Sequence, residues 1–205
     1  MVSAIISALL QVGFVLIVAG AVYFAMRRGQ RSFARFVGFY PAPLKAIAAG
    51  LALGLAATAL ILIVPGIADL ASERGTVAGD AAKSGVSASV VIALVIAAVF
   101  KTALSEELLF RGLIGKRLIA AAGFQLGNLV QAVLFGLAHL LLLLVPAASV
   151  GLVAVMVLFT GTLGWINGWL NERLGDGSIL PGWAGHAVAN LCAYLGLALM
   201  MSQGS

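Results

Sequence analysis

SASVVIALVIAAVFKTALSEELLFRG, residues 87–112, begins as a long apolar run and ends with Glu106, Glu107 and Arg111 close together. About 20 apolar residues at 1.5 Å rise per residue cover the roughly 30 Å hydrocarbon core of a bilayer. The stretch from about Ala88 to Phe110 therefore predicts a transmembrane helix. Ionisable side chains at mid-membrane cost about 2.5 to 3.5 kcal/mol each on insertion scales, so those that occur usually face a bundle interior and serve a function. Two glutamates and an arginine at the end of such a helix need partners, a task, or both.

The rest of the chain extends this reading. Of 205 residues, 62% are hydrophobic and only 9% charged, far from the roughly one quarter charged in soluble domains. Further spans are predicted at about Ala4–Met26, Leu44–Val64, Leu126–Val145, Ser149–Leu170 and Ile179–Met201. The expected architecture is an all-α polytopic transmembrane bundle of about six spans, forming one integral membrane domain over 1–205. The first span is followed, not preceded, by Arg27, Arg28 and Arg31, which reads as a retained anchor rather than a signal peptide. The net charge of +5 is scattered beside apolar runs, so anionic lipid head groups suit it better than nucleic acid. Cys192 is the sole cysteine, which excludes an intrachain disulfide framework and a thiolate-rich metal site.

Basic residues crowd two loops. Arg27, Arg28, Arg31, Arg35 and Lys45 lie between the first two spans, and Arg111, Lys116 and Arg117 lie between the third and fourth. The positive-inside rule makes both cytoplasmic. The segment from Pro65 to Ser87 mixes Asp69, Glu73, Arg74, Asp80 and Lys83 without a basic excess and suits the outer face, and Arg173 suits a cytoplasmic turn. Both termini are then expected outside, in a plasma or inner membrane if the source is bacterial. Glycines such as Gly50 and Gly54, or Gly161 and Gly164, would let helix backbones approach closely.

Polar residues within the predicted spans are few: Lys101, Glu106, Glu107, Arg111, His139, His186 and Asn190, with the amides of Gln131 and Asn167. Both histidines of the protein are among them. Glu107 and Arg111 are four apart and can pair on one helix face, whereas Glu106 is turned about 100° from Glu107 and is free to face another group. Phe135 and His139, and likewise His186 and Asn190, repeat the four-residue spacing on two other spans. Three helices each presenting a one-sided polar or aromatic feature are expected to converge on a cavity. Taken singly, each feature also fits interfacial anchoring or interhelical hydrogen bonding.

EELLFRG at Glu106–Gly112, FGLAH at Phe135–His139 and HAVAN at His186–Asn190 resemble the three motifs of the CPBP family of CAAX prenyl proteases, bacteriocin-processing enzymes and Abi proteins. The motif-bearing part covers about 88–201, and the first two spans carry no motif. The resemblance implies an intramembrane endopeptidase with Glu106 as general base, holding a water together with His139. It further implies that His186 and Asn190 donate to the oxyanion, that Glu107 and Arg111 brace the site with Phe135 beside them, and that Glu107 can also orient His186.

Cofactor use stays open at this level. The chain has no HExxH, but Glu106, His139 and His186 could together hold a Zn²⁺ with an open position for water, and the family has been described both as metalloproteases and as glutamate-dependent enzymes. Expected partners are a peptide or protein substrate at the membrane and the lipid bilayer itself. Two other classes fit the buried polar residues: a non-catalytic scaffold or immunity protein, and a proton-coupled transporter. A transporter often shows two related halves with broken helices, and the sequence displays none.

Overall fold

The computed structural model describes residues 2–26, 32–64, 66, 79, 87–145 and 148–202. Arg27, Arg28 and Arg31, and Asp69, Glu73, Arg74, Asp80 and Lys83, which carry much of the orientation argument, lie outside the described residues.

The described residues are predominantly helical, with no strand among them. Helix α1 is Val2–Ala25, α2 the short Phe33–Phe36, α3 Leu44–Leu62, α4 Ala88–Val95, α5 Lys116–Ala138, α6 Val150–Trp169 and α7 Leu180–Ser202. Between α4 and α5 the backbone is π-helical over Ile96–Leu104 and again over Glu107–Gly115. A 3₁₀ stretch, His139–Leu144, follows α5, and a π-helical turn, Leu170–Leu174, follows α6. Starts are set by local chemistry: the Ser87 and Ser149 hydroxyls accept from the backbone N–H groups of Val90 and Leu152, satisfying donors that have no partner within the helix.

Four stretches are long and apolar enough to cross a membrane: Val2–Ala25, Leu44–Leu62, Ala88–Leu144 and Val150–Leu174. The third is 57 residues long, about 85 Å if straight, far more than one crossing needs. It contains the third and fourth sequence-predicted spans, and the chain reverses between them at Gly123, whose φ of 77° is open to glycine. Just beyond the turn, a Cβ on Gly127 would collide with the backbone of Leu118 and Ile119, so the two arms lie against each other. Helix α7, at 23 residues, is also long enough to cross, though it is not among the four. The sequence expectation of about six spans is thus met by a helical membrane bundle.

Helices α3 and α7 cross almost backbone to backbone. A Cβ on Gly50 would overlap the Pro181 carbonyl, one on Gly54 the Gly185 carbonyl, and one on Gly185 the Gly50 carbonyl. In lipid, where apolar side chains gain little from leaving the solvent, such close approach is what holds helices together. Gly54→Ala is expected to cost about 1–3 kcal/mol through overpacking, read as a lowered unfolding midpoint in detergent micelles. An unchanged midpoint would contradict this crossing.

One end of the bundle is tied by hydrogen bonds among three loops. Ile179 N–H donates to Gly38 O at 2.9 Å, the Ser178 hydroxyl to Tyr40 O at 2.5 Å, and the Tyr40 hydroxyl to Asp176 O at 2.8 Å. Lys116 Nζ reaches Glu172 Oε1 at 2.9 Å and Gly177 O at 2.6 Å, while Arg117 Nη2 reaches Phe36 O at 2.9 Å. The segments after α1, at the start of α5 and before α7 therefore lie at the same end of the molecule, and that end carries Arg35, Lys116 and Arg117.

Candidate active site

The Glu-Glu pair sits where one π-helical stretch ends and the next begins: Ser105 and Glu106 separate Ile96–Leu104 from Glu107–Gly115. Bonding from i to i+5 puts more residues in each turn than in an α-helix, so neighbouring side chains diverge less than the α-helical step predicts. Both carboxylates consequently reach the same imidazole. Glu107 Oε1 lies 3.2 Å from His186 Nδ1, and Glu106 Oε2 lies 3.7 Å from His186 Nε2. The two glutamates, expected from the sequence to face different groups, thus meet at the two nitrogens of one ring.

Glu107 is wholly buried, and its Oε1 is 3.2 Å from Arg111 Nη1, with both side chains almost fully withdrawn. The contact is an ion pair by distance, while Arg111 Nη1 makes no aligned hydrogen bond. The guanidinium carbon stands 4.0 Å from the centroid of Phe135, so the aromatic face supplies part of its stabilisation. Phe135 is the hub of this cluster, edge-to-face with Phe110, His139 and His186 at 5.0, 5.2 and 6.1 Å between centroids. Glu106 is more accessible, with a quarter of its side chain exposed. The residue before it, Ser105, is buried and accepts from Gln11 Nε2 of α1 at 2.8 Å, which ties the first span to the motif helix.

His139 begins the 3₁₀ stretch after α5, with Nδ1 3.0 Å from the carbonyl of Phe135. Nδ1–H donates there, so in the neutral ring the lone pair lies on Nε2. His139, His186, Asn190 and Phe135 line one cavity of about 130 Å³, otherwise walled by residues of α3, α6 and α7 that are apolar apart from Thr58, Thr160 and Asn167. Glu106 and Lys101 are not among the lining residues, and Glu106 adjoins the cavity through His186.

The sequence left open a Zn²⁺ held by Glu106, His139 and His186. Among the described residues no three His, Cys, Asp or Glu side chains form a group that could hold a metal ion.

Sequence reasoning missed the contribution of α3, whose Leu53, Gly54, Ala57 and Thr58 form a wall of the cavity. The Gly50/Gly54 spacing signalled a close helix crossing but not its partner. It also missed Asn171, buried on the π-helical turn after α6, whose Oδ1 accepts from the N–H of Gly182 at 2.8 Å. A Cβ on Gly182 would stand 2.8 Å from both Glu107 Oε2 and Asn171 Nδ2, so glycine there lets α7 approach the buried carboxylate.

The fold and site together define the class: a helical integral membrane protein that buries a glutamate and an arginine and gathers a second, partly exposed glutamate and two histidines beside a cavity. Residues 88–192 match the family model described as type II CAAX prenyl endopeptidase Rce1-like, just over half of the chain, and the protein belongs to that family. It is a peptidase of the CAAX-protease type, integral to the membrane. No curated protein and no solved structure matches the chain. The matched region runs from the start of α4 into α7 and contains all three motifs, whereas α1 to α3 precede it.

Proposed function

We propose that the protein is an intramembrane endopeptidase in which Glu106 activates water for attack on a peptide bond near the end of a prenylated, CAAX-type polypeptide. The observation that carries this reading is the placing of two non-equivalent glutamates on one imidazole. Glu107, buried and matched by Arg111, holds the ring through Nδ1, and Glu106, partly accessible, stands free at the other edge.

In this reading a water lies between Glu106 and Nε2 of His139. Glu106 takes one of its protons as the oxygen attacks the scissile carbonyl carbon. The tetrahedral oxyanion accepts a hydrogen bond from the Asn190 carboxamide, and a second from His186 Nε2 when that ring carries both protons. Glu106 then returns its proton to the leaving nitrogen, the C–N bond breaks as the oxyanion collapses, and a carboxylic acid and an amine leave, the acid then giving its proton to solvent. No step needs a metal. The end carrying Arg35, Lys116 and Arg117 is cytoplasmic by the positive-inside rule, which brings substrate in from that side and puts the amino terminus outside.

The test uses protein purified into liposomes and a fluorescence-quenched peptide carrying an S-farnesylated cysteine four residues from its carboxyl end. Cleavage of this peptide, at least tenfold faster than of its unprenylated counterpart and unchanged by EDTA, is the expected result. A folded protein that binds the peptide without cutting it would return the chain to the scaffold class. Loss of cleavage in EDTA, restored by Zn²⁺, would overturn the metal-free chemistry.

A further inference from the structure

Asn167 lies on α6 and lines the cavity together with His186 and Asn190 of α7. It is 6% exposed, and its Oδ1 is buried with no hydrogen-bond partner. In the same lining, Nδ2 of Asn190 is also buried without a partner. The two hydroxyls that also line the cavity, Thr160 of α6 and Thr58 of α3, have their protons engaged within their own helices. Thr160 donates to Met156 O at 2.7 Å, and Thr58 to Gly54 O at 3.0 Å.

An extended peptide entering an apolar cavity within a membrane carries N–H and C=O groups that have lost water and must be paired there. A carboxamide has both a donor and an acceptor and can pair with a backbone amide in kind. Structural asparagines in membrane helices hydrogen-bond across to a neighbouring helix. Asn167 does not, though Gln131 and Asn128 nearby do, donating to the carbonyls of Gly164 and Trp165. Its burial without a partner points to a partner that arrives with the substrate.

We propose that Asn167 is a substrate-binding residue of this peptidase, pairing through its carboxamide with a backbone amide of the substrate beside the scissile bond. This rests on the peptidase reading above and adds a residue outside the three motifs. Asn167→Leu keeps the number and branching of the side-chain heavy atoms and removes the pairing. With the farnesylated peptide in liposomes, its kcat/KM is expected to fall about 10- to 100-fold, the effect of leaving one buried polar group of the bound peptide unmatched. Its unfolding midpoint in detergent should equal or exceed that of the wild type, because the substitution removes an unpaired buried amide.

A series of peptides N-methylated singly at each position flanking the scissile bond supplies a readout that a structural role would not move. At one position N-methylation slows the wild type strongly and Asn167→Leu little. Wild-type kcat/KM in Asn167→Leu, a clearly lowered unfolding midpoint, or equal sensitivity of both proteins to every N-methyl group would overturn the assignment while leaving the peptidase reading intact. If the wild type, folded and in liposomes, cuts none of the peptides, the peptidase reading falls and this inference falls with it.

Discussion

Glu106→Gln is expected to lower kcat/KM for peptide cleavage by about 10²- to 10⁴-fold, the contribution of a positioned general base, with the unfolding midpoint little changed. The asymmetry of the two carboxylates leads to both halves of this expectation. Glu106 is a quarter exposed and stands 3.7 Å from His186 Nε2, so removing its charge leaves no buried charge unpaired, and substitutions away from such features usually change stability by only about 0.5 kcal/mol. Glutamine keeps the size and loses the basicity, so activity and stability should separate. Steady-state cleavage and thermal unfolding on the same preparation test this, and an active Glu106→Gln protein would remove Glu106 from the proton-transfer role.

The opposite pattern is expected one residue along. Arg111→Ala leaves the fully buried Glu107 carboxylate without its cation, and breaking a buried pair from one side costs about 3–5 kcal/mol. The contact with Phe135 adds to the loss, because the ring that also touches His139 and His186 loses the group packed on its face. Arg111→Ala should therefore unfold at markedly lower temperature, with yield and activity falling together. The double variant Glu107→Leu/Arg111→Met replaces the pair by apolar side chains of similar bulk and should recover much of the stability, since such replacements are often neutral or stabilising. It should not recover cleavage, because His186 Nδ1 would lack the acceptor that orients the ring. An Arg111→Ala protein as stable as the wild type would show that the pair contributes nothing to the fold.

Much of this was legible in the sequence because membrane helices have a strong signature. Each predicted span corresponds to a helix, and the polar residues singled out on three of them gather around His186, Phe135 and the cavity. What was not legible depends on backbone geometry and packing. The π-helical stretches around Glu106 leave no compositional mark, yet they bring both glutamates onto one imidazole. The place of α3 in the cavity wall follows from Gly54 and Gly185 meeting backbone to backbone, and neither glycine names its partner. The loops after α1 and before α7 are joined largely through main-chain carbonyls, such as those of Gly38, Tyr40 and Asp176, which carry no side-chain signal. Asn167 was visible as an amide within a span, but only its missing partner and its place on the cavity wall set it apart from Gln131.

The central claim is that Glu106 drives hydrolysis of a peptide bond within the membrane. Mass spectrometry of the farnesylated peptide after incubation with wild-type and Glu106→Gln proteins in matched liposomes tests it most directly. The account predicts a single new carboxyl terminus next to the prenylated cysteine with the wild type, and intact peptide with a Glu106→Gln protein that is folded and membrane-inserted. The same product at a comparable rate from Glu106→Gln would contradict it.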